Sequence, residues 1–209
     1  MLGNDVIDLG DPETRPGACH PRFDARVFTP EERAALAAAA DPNRLRWSLW
    51  AAKEAAYKCL KQLAPGTCFS PVRFGVRLAA DQTGSVEFGG RRLRVALFSE
   101  GDALHAVATD AGDPERTVLR VVSAQPAAEA SACASQAVRA LARDAAAAIL
   151  GCAPGEIELS REGRVPHLRR RGANRELDLS LSHHGRFLAA ALAMRSAASL
   201  ETHPEPGAA

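Results

Sequence analysis

A long run of apolar residues at helical spacing, between Asn43 and Leu63, constrains this chain more than any other feature. The apolar positions recur every three or four residues, which predicts one long amphipathic helix with a single face toward a core. Pro65 and Gly66 end the pattern, because proline cannot continue a helix and glycine favours a turn. The positions on the predicted core face are Leu45, Leu49, Ala52, Ala56, Leu60 and Leu63.

The rest of the sequence predicts a short first strand, a second capped helix and two groups of strands. Val6 and Ile7 form a short apolar run, and Thr29-Pro30-Glu31-Glu32 is typical of a helix start with a capping box. A further helix is predicted over residues 135–150. The predicted strands, which are short and rich in valine, leucine and phenylalanine, lie at residues 72–78, 85–88, 93–98, 105–109, 117–122, 157–160, 177–182 and 187–194.

This order of elements predicts an α+β fold in which a long helix is available to pack on each group of antiparallel strands. Residues 1–124 form the first predicted unit and residues 135–195 the second. The alanine-rich polar segment 125–134 is predicted to link them, and residues 196–209 to form a disordered tail.

Composition argues against several kinds of partner and compartment. The formal net charge is only +1, so an anionic ligand must be held by a local basic cluster, and neither nucleic acid nor a membrane surface is favoured. The five cysteines are odd in number and form no C-x-x-C pair, which is typical of a reducing cytoplasm. The first residues lack the basic and apolar regions of a secretory signal, so we expect a cytoplasmic protein.

Carboxylates stand at the ends of the first predicted strand, in the segment Gly3-Asn4-Asp5-Val6-Ile7-Asp8-Leu9. A short apolar strand is normally buried, and an unpaired buried carboxylate is costly. A metal ion would remove that cost. The alternative is that both aspartates are turn or capping residues.

Trp50, Glu54 and Lys58 form one row on the long helix, because residues four apart share a helix face. Glu54 and Lys58 are either an ordinary surface ion pair or a magnesium ligand beside a phosphate contact. Mg²⁺ prefers a few carboxylates together with substrate phosphates and water, so Asp5 and Glu54 would be enough.

Hydroxyls and imidazoles come together at Ser180-Leu181-Ser182-His183-His184, where a predicted strand ends before Gly185. Backbone N–H groups of a turn and imidazoles suit phosphate oxygens. The two adjacent histidines point to different sides of an extended chain, so they make a poor metal pair, and a structural role is the alternative.

Together these segments resemble the 4′-phosphopantetheinyl transferases. Residues 3–9 resemble the glycine–x–aspartate strand of that family, and residues 50–58 match its W-x-x-K-E-A-x-x-K helix at every fixed position. Residues 180–183 resemble its serine–histidine turn, and residues 162–166 its G-K-P segment with arginine in place of lysine. The resemblance implies a transferase of the holo-acyl-carrier-protein synthase type. Such an enzyme moves phosphopantetheine from coenzyme A to a carrier-protein serine and releases 3′,5′-ADP.

The resemblance also implies a role for each matching residue. Asp5 and Glu54 would bind Mg²⁺, and Glu54 would take the proton from the carrier serine, with Lys58 as the second catalytic residue. Asp8 would face the other side of a regular strand, so water would take the place of a further ligand. The residues implied to bind coenzyme A are Lys53, Lys58, Arg164, Ser182 and His183. Candidates for the remaining phosphate contacts are Arg139, Arg143 and residues 169–171, a run that would otherwise be a solvated loop.

The order of the motifs implies two similar halves in exchanged order. In the longer, surfactin-synthetase-activating members, the half with the serine–histidine turn precedes the half with the aspartate strand, and the two form a pseudo-dimer. Here residues 135–194 resemble the former half and residues 2–122 the latter, which we interpret as a circular permutation. This interpretation predicts a monomer in which Met194 lies near Met1.

The implied partner is a small acidic acyl or peptidyl carrier protein, which we expect to dock at residues 28–33 with Phe28 as a contact. The carrier and its pathway, whether fatty acid, polyketide or nonribosomal peptide, stay open. Three alternatives remain: a non-catalytic paralogue that binds coenzyme A, an acyl-coenzyme A hydrolase, and a nucleic-acid-binding module that uses residues 169–171. An aromatic content of 5% disfavours the last of these.

Overall fold

The computed structural model describes residues 1–125, 133–172 and 177–194. The predicted tail 196–209 and most of the predicted linker 125–134 lie outside the described residues. The helices are α1 (Phe23–Val27), α2 (Pro30–Ala38), α3 (Pro42–Leu63), α4 (Pro114–Thr117) and α5 (Ala134–Leu150). The strands are β1 (Leu2–Asp8), β2 (Gly75–Leu78), β3 (Thr83–Phe88), β4 (Arg91–Glu100), β5 (Ala103–Thr109), β6 (Leu119–Ala124), β7 (Ile157–Glu162), β8 (Val165–Arg170), β9 (Leu177–His184) and β10 (Phe187–Met194).

The first half, residues 1–110, is a five-stranded antiparallel sheet in the order β1-β5-β4-β3-β2 with α3 packed on one face. The predicted core face of α3 is confirmed, since Leu49, Ala52, Ala56 and Leu60 are buried. Gly3 lets β1 lie directly against α3, because a Cβ atom there would lie 2.0 Å from the backbone oxygen of Ala55.

The second half, residues 119–194, repeats this topology and includes β6, which the sequence pattern places in the first predicted unit but which pairs with β10. Its sheet has the order β6-β10-β9, which corresponds to β1-β5-β4, and α5 packs on it as α3 packs on the first sheet. The β7–β8 hairpin lies beside β9. The α+β fold class is confirmed, and the repeated topology supports the interpretation as two similar halves. No helix within the described ranges is both long and apolar enough to cross a membrane.

The two halves meet where β1 and β9 run side by side in the same direction. Backbone N–H groups of alternate β1 residues donate to side chains of alternate β9 residues, so the free edge of β1 is satisfied by the second half. The donor and acceptor pairs are Asn4 N to Ser180 Oγ at 2.9 Å, Val6 N to Ser182 Oγ at 3.2 Å, and Asp8 N to His184 Nδ1 at 3.1 Å. We call these contacts the side-chain ladder.

The start of the chain lies beside the end of β10, as the permutation predicts. The α-ammonium of Met1 is 3.5 Å from the carboxylate of Asp178. Asp178 is paired across the β9–β10 hairpin with Ala193, the residue before Met194.

Two expectations about the surface need correction. Phe28 is 1% exposed and packs edge-on against Phe23, so it is a core residue and not a docking contact. The arginine run at residues 169–171 is not a loop, because Arg170 ends β8. The guanidinium of Arg170 lies 3.7 Å from the carboxylate of Glu156, and that of Arg171 lies 3.3 Å from the carboxylate of Glu158. The end of this run therefore forms ion pairs with glutamates on the opposite side of the β7–β8 hairpin.

Lys53 lies in the core and not at the surface of α3. Its side chain is 0% exposed, and its ammonium is 2.7 Å from the carboxylate of Glu32. It also donates to the backbone oxygens of Pro71 and Phe74, so all three ammonium protons face protein acceptors. Burial lowers the pKa of Lys53, and the hydrogen bond that Lys53 donates to Glu32 opposes that effect. Glu32 itself forms the predicted capping box with Thr29 at the start of α2, so its pairing with Lys53 ties α2 to α3.

A second ion pair joins the halves at the far end of β1. The carboxylate of Asp8, 1% exposed, accepts two hydrogen bonds from the guanidinium of Arg186, each 2.8 Å long. Arg186 also donates to the exposed Asp102 at 2.9 Å. The hydrogen bonds from Arg186 lower the pKa of Asp8 to about 2. Asp8 is therefore a structural residue, directed away from Asp5.

Lys53→Met should destabilise the protein by about 3 kcal/mol, because it leaves a buried carboxylate without its cation. Lys58→Met, the matched change five positions along α3, should cost about 1 kcal/mol or less, since Lys58 is partly exposed. Urea unfolding followed by circular dichroism measures both. Equal losses for the two variants would contradict the burial argument.

Asp8→Asn should lower the free energy of unfolding by about 2 kcal/mol at pH 7, because it removes a charge-assisted pair of hydrogen bonds. The difference should shrink as the pH falls from the ordinary value of 3.8 toward about 2, where the wild-type carboxylate becomes protonated. Asp102→Asn, on the exposed side of the same arginine, should cost less than about 1 kcal/mol. A difference that does not change between pH 7 and acid would contradict the ion pair.

Candidate active site

A cleft separates α3 of the first half from the β7–β8 hairpin of the second. Its inner part is a cavity of about 250 Å³ lined by Glu54, Tyr57, Lys58 and Arg164 among others. A second cavity of about 650 Å³ continues from it and shares Lys61 and Arg164. A further cavity of about 690 Å³ lies on the opposite face of the first sheet, and its lining contains none of the predicted site residues.

Asp5 lies on β1 beside this cleft, where it pairs with Lys58, one of the residues that line the cleft. Residues of β1 alternate between two faces, and Gly3, Asp5 and Ile7 face α3. One carboxylate oxygen of Asp5, Oδ1, accepts from Lys58 Nζ at 2.8 Å and from Ser182 Oγ at 2.8 Å. Within the described residues nothing donates to Oδ2. Asp5 therefore has one oxygen held by the protein and one available to a ligand.

Glu54 lies one helical turn before Lys58 on α3 and is half-buried. Burial, together with the negative charge of Asp5, raises the pKa of Glu54 to about 7, and the positive charge of Lys58 only partly opposes this. The two carboxylates are thus close enough to repel each other in a poorly solvated place. A bound cation would remove this repulsion.

The pair fits magnesium better than a metal caged by protein. Within the described part of the chain, no group of three or more histidine, cysteine, aspartate or glutamate side chains could hold a metal ion. Structural zinc sites need about four protein ligands. Mg²⁺ is commonly bound by one or two carboxylates, with substrate phosphates and water supplying the other oxygens. The donor set of Asp5 and Glu54 matches that pattern.

Basic groups from both halves surround the carboxylates. His183 is exposed near the end of β9. Its pKa is lowered mainly by partial desolvation and also by the positive charge of Lys58, whereas the negative charge of Asp5 opposes this shift. Arg164 is exposed at the tip of the β7–β8 hairpin and lines the cleft opposite Lys58. The cleft therefore presents cations around two acids, an arrangement suited to a phosphate-rich ligand with a divalent metal.

Two predicted cofactor contacts are not brought into the cleft. Lys53 is enclosed in the core, as described above, and we assign it a structural role. Ser182 is 6% exposed, accepts from the backbone N–H of Val6 and donates its one hydroxyl proton to Asp5. Ser182 therefore meets Asp5 instead of facing a ligand. Arg143, another candidate phosphate contact, donates to the backbone oxygen of Ile157.

Tyr57, Lys61 and Gln62 also line the cleft and were not predicted. The first two carry a sequence signal, because Lys61 lies three residues after Lys58 and four after Tyr57, on the same helix face. Gln62 carries none. Its amide donates to the backbone oxygens of Leu2 at 2.8 Å and Leu179 at 3.0 Å. These two acceptors belong to different halves, so the position of Gln62 depends on how the halves are packed.

Comparisons with known proteins bear on the first half of the chain. The family model for the 4′-phosphopantetheinyl transferase superfamily, ACPS, matches residues 1–110, more than half of the chain. The solved structure of holo-[acyl-carrier-protein] synthase from Neisseria meningitidis is similar over 51% of this chain and 94% of its own, with 23% identity and a TM-score of 0.40. No curated protein matches the sequence.

The solved structure is too distant to carry a functional argument. The family match is specific to the part of the chain that holds β1, α3 and their carboxylates. The chain therefore belongs to the 4′-phosphopantetheinyl transferase superfamily.

Proposed function

We propose that the protein transfers 4′-phosphopantetheine from coenzyme A to a serine of an apo carrier protein and releases 3′,5′-ADP. The observation that carries this proposal is a cleft lined by Glu54 and Lys58 of the first half and by Arg164 of the second, with Asp5 beside it and bonded to Lys58. The serine oxygen attacks the phosphorus of the phosphopantetheine, and the bond from that phosphorus to the ADP oxygen breaks.

The side chains of the cleft would act mainly by positioning and by balancing charge. Lys58 is held by Asp5 at 2.8 Å, so its ammonium is directed before a phosphate arrives. Arg164 and His183 come from the second half and would bind the remaining nucleotide phosphates. Glu54, or a water molecule that it orients, would accept the proton of the serine hydroxyl.

Asp5 and Glu54 would hold Mg²⁺, which when bound would neutralise negative charge on the pyrophosphate and polarise its oxygens. Both halves contribute to the cleft within one chain, so the site is complete in a monomer. The five free cysteines fit a reducing compartment, and we place the enzyme in the cytoplasm.

The docking surface for an acidic carrier would lie beside α1. Phe23 packs on Trp50 with ring centroids 5.6 Å apart, and Trp50 lies one turn before Glu54 on α3. Arg22 and Arg26, on either side of Phe23, are exposed. These two arginines offer positive charge around Phe23, which contacts Trp50, and they take the place of Phe28 in the docking hypothesis.

Intact mass spectrometry of an apo carrier protein, incubated with enzyme, coenzyme A and Mg²⁺, tests the reaction. The carrier should gain one phosphopantetheine, and Glu54→Gln should slow this gain by about 10²- to 10⁴-fold. Glu87→Gln, an exposed glutamate on β3, is the matched control and should behave as the wild type. A chelator should abolish transfer.

No mass gain across fatty-acid, polyketide and peptide carriers, despite measurable binding of coenzyme A, would overturn the proposal. Metal-independent hydrolysis of acyl-coenzyme A would then favour a hydrolase, and no turnover at all a non-catalytic paralogue.

Charge reversal at the proposed docking surface, Arg22→Glu with Arg26→Glu, should raise the KM for the carrier about tenfold and leave the KM for coenzyme A unchanged. Raising the salt concentration should reduce the difference from wild type, because exposed charges are screened. Arg91→Glu, at the start of β4 and outside α1, serves as the control. A similar rise in the KM for the carrier and the KM for coenzyme A would contradict the proposal that these arginines form a carrier-docking surface.

A further inference from the structure

Ser182 differs from the other members of the side-chain ladder. Each member accepts a backbone N–H from β1, which satisfies the strand edge. Ser182 alone among them also donates to a carboxylate of the cleft, through the 2.8 Å bond from its Oγ to Asp5 Oδ1. A hydroxyl has one proton, so the acceptor side of Ser182 holds the strand and the donor side holds Asp5.

Ser180 provides the natural comparison. It lies two residues earlier on the same face of β9, is buried at 2% exposure and accepts from the N–H of Asn4 at 2.9 Å. Within the described residues it makes no hydrogen bond to Asp5, so the ladder by itself requires only an acceptor. Ser182 forms the additional hydrogen bond to Asp5 because it lies opposite Val6, the residue after Asp5.

The bond to Asp5 acts on a specific oxygen. Ser182 and Lys58 both donate to Oδ1, which orients the carboxylate so that Oδ2 faces away from them. Without Ser182, the orientation of Asp5 would depend on Lys58, a long side chain that the proposed function also assigns to a phosphate. A short donor fixed on a strand of the second half is the more rigid support.

We propose that Ser182 is a positioning residue that sets the direction of Asp5 across the boundary between the halves and so preforms the divalent-cation site. This inference rests on the proposed function, in which Asp5 is a metal ligand. Groups that hydrogen-bond to a ligand carboxylate orient it, and their loss commonly weakens metal binding by about 10- to 100-fold.

Titration of the full-length protein with Mn²⁺, followed by the electron paramagnetic resonance signal of the free ion, measures the site without turnover. Ser182→Ala should weaken Mn²⁺ binding by about 10- to 100-fold. Ser182→Thr, which keeps the hydroxyl, should restore most of the affinity. Ser180→Ala removes an equivalent ladder bond, so it should lower the Tm by an amount similar to Ser182→Ala while leaving Mn²⁺ affinity near that of the wild type.

Equal Mn²⁺ affinity in Ser182→Ala and Ser180→Ala would overturn the inference, because Ser182 would then act only in the ladder. Wild-type protein that transfers phosphopantetheine but binds no Mn²⁺ would also overturn it and leave the transfer reaction in place. The expected Mn²⁺ difference in a wild type that transfers nothing would uphold the positioning role and reject the proposed function.

Discussion

The contact between the edge of β1 and the side chains of β9 organises this protein. An edge strand carries unpaired N–H groups that must find acceptors, and here three acceptors are supplied by the second half. On its other side β1 pairs with β5, and its Gly3 lies against the backbone of α3. β1 is thus held by a sheet, a helix and the other half. The aspartate it carries is placed by all three.

Two pairs of like residues show how the fold assigns different roles to the same chemistry. Lys53 and Lys58 lie on one helix, yet the first neutralises Glu32 in the core and the second meets Asp5 in the cleft. Asp5 and Asp8 lie on one strand, yet Asp8 is neutralised by Arg186 while Asp5 remains beside a second carboxylate. The pairs of Lys53 with Glu32 and of Asp8 with Arg186 are closed within the protein. In the cleft Asp5 is paired with Lys58, but Glu54 has no ion pair within the described residues, so an incoming cation would balance its charge.

Local signals predicted much of the fold. The apolar period and the Pro65-Gly66 stop placed α3 within a residue of its ends, and Thr29 with Glu32 form the capping box expected from their spacing. β8 was missed, because Pro166 and three polar residues hide its alternation. Phe28 was placed at the surface, although a large aromatic side chain without periodic neighbours gives no local evidence of which face it takes.

By itself the sequence determined the succession of elements, the segments that carry the chemistry and the resemblance to one family, since these depend on spacing along the chain. Tertiary structure decided which of the matching residues share a site. Lys53 and Ser182 satisfy the same motifs as Glu54 and His183, but their environments differ. Their hydrogen-bond partners lie far along the chain, 21 positions away for Lys53 and Phe74 and 177 positions away for Ser182 and Asp5. No local pattern encodes the latter contact, because it exists only once the two halves have packed together.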